Sequence, residues 1–551
     1  MTGEPLLRVE DLRIGFGARE VVHGASFELH AGRCLAIVGE SGSGKSVTAR
    51  TLVGLTGAGS RVSARRLDFN GTDLRGLGDR QWRRIRGRDI GFVLQDALVS
   101  LDRLRPVGRE VDEALSLHGR GNRAQRAERV HELLEQVGVP EPRVRARQLP
   151  HELSGGLRQR VLIAQAIALD PGLLIADEPT TALDATVQVR ILDLLAERKR
   201  AGQSLILVSH DLAVVSRLAD EVAVIRQGEI VERGPVGDVL GAPRHEYTRA
   251  LLDAVPSNHP KGTLLSPHPD RPAGTVLPDR GTARTHTPVL RASGLVKRFR
   301  GPDRRVRTAV DDVSFELRAG ETLGVVGESG SGKTTTARMA LALEAPDDGT
   351  VDLLDGPWTT LSPRRRRPLR KRITVIYQDP LSSFDPRWSV EHVLRDSLDP
   401  AEFTTARARA LRVGELLEQV GLGDEHRRRR PLHLSGGQRQ RVAIARALAP
   451  RPSVIVCDEP VSALDVSIQA QVLDLLTTLQ AELCVAYLFI SHDLGVVHHM
   501  SDHVLVMKDG RVVEQGPQEE VFTAPRAPYT RSLLNALPAL PPRREPAAAP
   551  S

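Results

Sequence analysis

GESGSGKS (Gly39–Ser46) and GESGSGKT (Gly327–Thr334) decide the fold. The first follows the apolar run CLAIV (Cys34–Val38) and the second follows TLGVV (Thr322–Val326), and each opens a helical pattern. A glycine-rich turn between strand and helix exposes backbone N–H groups that cradle phosphate oxygens, and the helix N-terminus adds positive potential. The candidate phosphate-binding residues are Gly39, Ser41, Gly42, Gly44 and Lys45, repeated as Gly327, Ser329, Gly330, Gly332 and Lys333. The lysines have the position that reaches β- and γ-phosphates, and the hydroxyls of Ser46 and Thr334 have the position that ligates Mg²⁺.

Working outward, the two loops belong to a long internal repeat. GASFELHAGRCLAIVGESGSGKSVTAR returns as DDVSFELRAGETLGVVGESGSGKTTTAR, and ELSGGLRQRVLIAQAIALDPGLLIADEP returns as HLSGGQRQRVAIARALAPRPSVIVCDEP. Within each copy, short apolar runs such as CLAIV, LLIA and LILVS alternate with longer helical patterns such as ATVQVRILDLLAERKR, which predicts a parallel sheet with crossover helices. The charged sections at roughly 80–150 and 364–430 read as helical insertions. LLIADEP (Leu173–Pro179) and VIVCDEP (Val454–Pro460) end buried-strand patterns in paired carboxylates. Asp177 and Asp458 are expected to hold the Mg²⁺ shell through water, and Glu178 and Glu459 to orient or deprotonate the attacking water, a division of labour that suits phosphoryl transfer.

The 551 residues bound the rest. They allow several domains, and with 40% hydrophobic and 26% charged residues the composition is that of a folded globular chain. The longest apolar stretch, Leu483 to Ile490, is too short to span a bilayer, and the start MTGEPLLRVE lacks a signal-peptide pattern, so a cytoplasmic protein is expected. Cys34, Cys457 and Cys484 are scattered and each lies in an apolar run, which predicts three buried thiols, no zinc and no iron–sulfur cluster. The net charge of +7 permits nucleic-acid binding, but 3 Trp, 4 Tyr and 10 Phe leave few stacking platforms. The organisation expected is a first domain at 1–255, a Pro-rich linker at 256–288 without helical or alternating pattern, a second domain at 289–538 and a disordered tail at 539–551.

LSGGLRQR and LSGGQRQR precede their Asp-Glu pairs at the same distance, Ser154 to Asp177 and Ser435 to Asp458. They resemble the signature of ATP-binding cassette (ABC) ATPases, and the likeness covers nearly the whole chain outside linker and tail. The resemblance implies an α/β fold of two P-loop nucleotide-binding domains, each with a mainly parallel sheet core, an antiparallel β portion and a helical subdomain. It makes Gln95 and Gln378 the Q-loop glutamines, with a place near the metal, Asp184 and Asp465 the D-loop residues, and His210 and His492 the γ-phosphate switch histidines that join Glu178 and Glu459 in catalysis. Phe16 and Phe299 stand where the family stacks adenine, although each also fits a strand core. The family geometry pairs halves head to tail, so that Ser154, Gly155 and Gly156 serve the ATP at Lys333, and Ser435, Gly436 and Gly437 the ATP at Lys45. Leu157 replaces the glutamine found at Gln438, but the small residues before it are unchanged, and two competent sites are expected.

Two branches of that family fit a tandem chain without membrane spans: the motor of a membrane transporter, and a soluble ATPase acting on ribosomes or DNA. The connector here is Pro-rich rather than a long charged helix, and the Arg364–Arg367 and Arg427–Arg430 runs read as solvated surface. YQDPLSSFDPR (Tyr377–Arg387) and the paired tails APRHEYTRALLDAVP (Ala242–Pro256) and APRAPYTRSLLNALP (Ala524–Pro538) resemble the oligopeptide, dipeptide and nickel importer ATPases. That resemblance implies an ATPase at the cytoplasmic membrane face, two transmembrane permease subunits, a separate extracytoplasmic solute-binding protein and no nucleic acid.

Overall fold

The computed structural model describes residues 4–95, 100–180, 183, 185–267, 273–276, 287–300, 306–462 and 464–535. Among these the chain divides into two compact units, one ending at Leu252 and the other running from Asp253 to Asn535. The tail at 539–551 and Asp184 lie outside the described residues.

In the first unit the central sheet runs in the order Glu229–Pro235, Glu221–Arg226, Cys34–Val38, Ser204–Val208, Leu173–Asp177 and Ile90–Val93. The pairings are parallel except for the hairpin at the Glu229–Pro235 edge. CLAIV, SLILV and LLIAD are buried along their whole length, as expected of strands covered on both faces by crossover helices. The second unit repeats the order with Arg511–Pro517, His503–Lys508, Thr322–Val326, Ala486–Ile490, Val454–Asp458 and Ile373–Ile376.

Each unit also carries an antiparallel sheet. In the first, Leu7–Phe16 pairs with Arg19–Leu29 on one side and with Ser60–Ser63 and Arg66–Phe69 on the other. Its inward residues Leu7, Val9, Leu12 and Ile14 join Leu35, Ile37, Leu173 and Ile175 in one core cluster, so burial ties this sheet to the parallel one. Pro288–Arg300, Val306–Arg318 and Asp348–Leu353 do the same in the second unit. The helical insertions begin later than their charge content suggested. Ile90–Val93 and Ile373–Ile376, inside the sections read as helical, are strands of the parallel core. After them come helices Val107–Leu117, Arg123–Gln136 and Gly155–Ala166, matched by Val390–Asp396, Ala406–Gln419 and Gly436–Leu448.

Two expectations need correction. The 256–288 stretch is not free chain through its first part. Ala254 and Leu265 belong to the second unit's core, and the Asp474 carboxylate accepts the N–H groups of Leu265 and Ser266, both at 2.8 Å, and the Ser266 hydroxyl. Lys261 pairs with Asp502, and His499 Nδ1 lies 3.4 Å from the carbonyl of His259. The first unit explains the lysine: there Lys199 pairs with Asp220 at 2.8 Å, whereas the matching position in the second is Gln480, which donates to Thr322 Oγ1 instead. Lys261 replaces the missing cation from outside the repeat. The second correction concerns sulfur. Cys34 and Cys457 are buried, and burial pushes the Cys34 thiol up to about 12, but Cys484 is exposed. It caps the helix Val466–Leu483 with a left-handed backbone, φ 53°, ahead of the apolar strand Ala486–Ile490.

Candidate nucleotide site

The residues singled out by motif emerge at the C-terminal ends of adjacent parallel strands, the edge where open α/β sheets bind ligands. Gly39 follows Val38, Gln95 follows the Ile90–Val93 strand, Glu178 follows Asp177, and His210 follows the Ser204–Val208 strand. Gly327, Gln378, Glu459 and His492 occupy the same places in the second unit.

The loop glycines are required by conformation. Gly39 has φ 150°, Gly42 φ 80° and Gly44 φ 100°, and Gly327, Gly330 and Gly332 have φ 150°, 84° and 100°. A Cβ on Gly39 would lie 2.1 Å from the carbonyl oxygen of Ile225, so side chains are excluded where the loop crosses the neighbouring strand. Lys45 Nζ donates to the carbonyls of Gly39 and Glu40, both at 2.7 Å, and Lys333 Nζ donates to Gly327 and Glu328 at 2.7 and 2.8 Å. Each ammonium is thereby folded over its own loop. Ser41 and Ser329 lie in these loops, both exposed.

Ser46 Oγ donates to Asp177 Oδ1 at 2.9 Å, and Thr334 Oγ1 to Asp458 Oδ1 at 3.5 Å. Asp177 is fully buried, and its Oδ2 has no hydrogen-bond partner. Burial raises the pKa of both aspartates, and the adjacent Glu178 or Glu459 charge adds to it. A buried carboxylate oxygen without a donor, beside a hydroxyl, is a donor set suited to a hydrated divalent cation.

Glu178 and Glu459 have left-handed backbones, φ 51° and 50°, each held by its own N–H bonded at 2.9 Å to the next strand, on Val208 and Ile490. That turn aims the carboxylates between two partners. Glu178 Oε2 accepts from Gln95 Nε2 at 3.0 Å, and Oε1 lies 3.1 Å from His210 Nδ1. The second unit has Gln378 at 2.7 Å and His492 at 3.2 Å from Glu459. Burial opposes charge on His210 and His492, but the hydrogen bond and charge of the glutamate outweigh it, and both imidazole pKa values are raised. Burial likewise disfavours the Glu459 anion, yet His492 and Lys333 bring its pKa below the ordinary value.

The remaining predicted residues lie outside this contact set. Ser154 and Ser435 cap the helices starting at Gly155 and Gly436, accepting from Leu157 N at 3.4 Å and Gln438 N at 3.2 Å. Gln438 also accepts from Ser435 N at 3.1 Å, a reciprocal bond that Leu157 cannot make. Both serines, with Gly155 and Gly436, are exposed, whereas Gly156 is partly covered and Gly437 buried. Asp465 caps the helix Val466–Leu483 through Ile468 N. Phe16 is half-buried against the core, and Phe299 is 42% exposed with Lys297 Nζ 5.5 Å from its ring centroid.

An ABC transporter family profile matches twice, over residues 22–181 and 310–462. The chain belongs to the ABC transporter family. This ABC transporter ATPase also matches the oligopeptide/dipeptide transporter C-terminal region over 231–281 and 513–550. It is 45% identical over 540 residues, 97% of its length and 96% of the relative's, to the peptidoglycan transport ATP-binding protein YejF of Agrobacterium fabrum (strain C58 / ATCC 33970). It is 43% identical, over 98% of its length and 90% of the relative's, to the glutathione import ATP-binding protein GsiA of Escherichia coli (strain K12). The dimeric structure of a post-hydrolysis state of the ATP-binding cassette MJ0796 bound to ADP and Pi aligns at 26% identity over 42% of this chain and 98% of that one, with TM-score 0.38. The transporter branch, not the ribosome or DNA branch, is therefore the one this ATPase belongs to, and its work is coupled to a membrane permease. Among the described residues no helix is long and apolar enough to cross a membrane.

Proposed function

We propose that the chain powers the import of peptides or similar small solutes from the cytoplasmic face of the membrane, through two permease subunits fed by a separate extracytoplasmic solute-binding protein. The observation that carries the reading is the oligopeptide/dipeptide C-terminal region recurring after each complete nucleotide site. Relatives named for peptidoglycan and glutathione transport support cargo of amide-linked, peptide-like character.

In this reading two ATP molecules are bound. Each phosphate chain lies along one loop, with Lys45 or Lys333 reaching the phosphate oxygens while its ammonium stays anchored on the loop carbonyls. Phe16 and Phe299 face the adenines. Mg²⁺ would be held by Ser46 or Thr334, with Gln95 or Gln378 and Asp177 or Asp458 in its surroundings, and it would neutralise charge on the β- and γ-phosphates. Glu178 and Glu459, anchored by Gln and His on opposite oxygens, orient the attacking water and take its proton. His210 and His492 stand beside that carboxylate, placed to donate to the γ-phosphate. The exposed starts of the helices at Gly155 and Gly436 supply N–H donors to ATP phosphates, and Asp184 and Asp465 complete the set of ATP-binding residues.

The test is Glu178→Gln with Glu459→Gln in the chain copurified with its permeases from native membrane. Turnover is expected to be lost while ATP affinity stays within about twofold, because binding rests on the loop and lysine, whereas Lys45→Ala with Lys333→Ala weakens binding itself. Turnover surviving both glutamine changes, or ribosomal proteins in place of permeases in the purified material, would sink the reading.

A further inference from the structure

The short helices Glu246–Asp253 and Pro528–Asn535, which carry the paired Tyr-Thr-Arg sequence, have so far only marked a branch of the family. Each reaches into the phosphate loop of its own unit. The backbone N–H of Glu40 donates to the phenol oxygen of Tyr247 at 3.1 Å, and that of Glu328 to Tyr529 at 3.2 Å. The nitrogen of Glu40 and the carbonyl of Gly39 belong to one peptide group, and that carbonyl accepts Lys45 Nζ at 2.7 Å. The peptide of Gly327 and Glu328 is gripped in the same way by Lys333 and Tyr529. A peptide held at its N–H end by a phenol and at its C=O end by an ammonium cannot rotate without breaking one of the two bonds.

Each tyrosine is itself held. The carboxylate of Glu232 accepts the N–H groups of Arg244 and His245, and Glu514 accepts those of Arg526 and Ala527, so one strand-borne glutamate fixes the approach to each helix. Arg226 lies 5.0 Å from the Tyr247 ring centroid and Lys508 4.8 Å from that of Tyr529. These cations follow Ile225 and Met507, whose carbonyls leave no room for a Cβ on Gly39 or Gly327. Strand end, tyrosine and loop peptide thus form one unit twice, with different cations over the ring.

We propose that Tyr247 and Tyr529 are positioning residues of the ATPase: each fixes the peptide that anchors the loop lysine, and so sets ATP affinity from the C-terminal extension. The proposal rests on the reading that Lys45 and Lys333 hold ATP phosphates.

The test is Tyr247→Phe with Tyr529→Phe in the full chain, a change that removes the acceptor and leaves the ring beside its cation. One ordinary hydrogen bond lost per site predicts ATP binding weaker by about fivefold at each, with the loss falling on Kd and KM rather than on kcat. Tyr487→Phe is the matched control, since the Tyr487 hydroxyl donates to Leu476 O at 3.0 Å in the buried core and its loss is expected to lower Tm without moving ATP affinity. Calorimetric titration with Mg-ATP gives Kd, and thermal unfolding without nucleotide gives Tm. An unchanged Kd in the double Phe variant, with or without a fall in Tm, overturns the proposal, as does an equal loss of affinity in Tyr487→Phe. If Lys333→Ala also leaves binding intact, the reading of the lysines has failed; if it weakens binding while the Phe changes do not, only the tyrosine proposal has.

Discussion

Leu265→Ala tests whether the stretch between the repeats is a tether or part of a domain. Leu265 is 1% exposed and shares a core cluster with Val472, Leu473 and Leu476. Its backbone N–H stays bonded to Asp474, so truncation leaves a cavity rather than releasing the chain. Buried Leu→Ala changes cost ~2–5 kcal/mol, and a segment joined to its domain by one short stretch relaxes partway, which puts this one at about 3 kcal/mol. At roughly 2–4 °C per kcal/mol for a domain of this size, the second unit's thermal midpoint should fall by about 6–12 °C. Differential scanning calorimetry of the full chain reads this directly, with Leu104→Ala as control because Leu104 is 86% exposed and its loss should move neither transition. Trypsin gives an orthogonal reading: Lys261 is engaged with Asp502, so cleavage after it should be slow in the parent and faster in Leu265→Ala. A midpoint shift no larger than that of the control, with unchanged cleavage at Lys261, refutes the argument.

The pH dependence of the same region has a definite sign. Burial, opposed by the hydrogen bond to the His259 carbonyl and aided by the charge of Lys261, lowers the His499 pKa to about 4, so between there and the ordinary value near 6.5 the folded unit binds fewer protons than the unfolded chain. Stability is full above that window and is lost as pH falls through it; His499→Gln should flatten the fall in midpoint between pH 7 and 5, and equal slopes would count against it. The head-to-tail pairing that the family resemblance implies is tested by Ser43→Cys with Ser435→Cys in a chain lacking Cys34, Cys457 and Cys484 and carrying both Glu→Gln changes. Oxidation with ATP should trap a compact monomer, and better trapping through Ser43→Cys with Ser154→Cys contradicts the assignment.

The nucleotide site was legible because its chemistry is local in sequence. A phosphate cradle needs consecutive N–H groups, and the positive φ values at Gly39, Gly42 and Gly44 need glycine, so the loop must be written as one motif. Asp177 and Glu178 are adjacent because one ends a buried strand and the other turns out of it. The antiparallel sheet followed from resemblance rather than periodicity, since the bulges between Val9 and Leu12 and between Leu12 and Arg13 break the two-residue alternation. What composition concealed is long-range. The Pro- and Gly-rich stretch looked unpatterned because its partners, Asp474, His499 and Asp502, lie more than 200 residues away. Cys484 was misjudged because an apolar run was read through a helix end.

Comparing the two units within one chain separates chemistry from packing. Glu178 and Glu459 keep the same backbone turn and the same Gln and His partners, as the proposed handling of an attacking water would require. Lys199 and Gln480 differ, and Lys261 reaches Asp502 from another part of the chain where the lysine is absent; a counter-charge can be supplied from any direction. The cations over Tyr247 and Tyr529 also differ, Arg226 and Lys508, while the phenol bond to the loop does not. By the same criterion, the tyrosine contact behaves like the constrained chemistry of the site and not like the exchangeable packing around it.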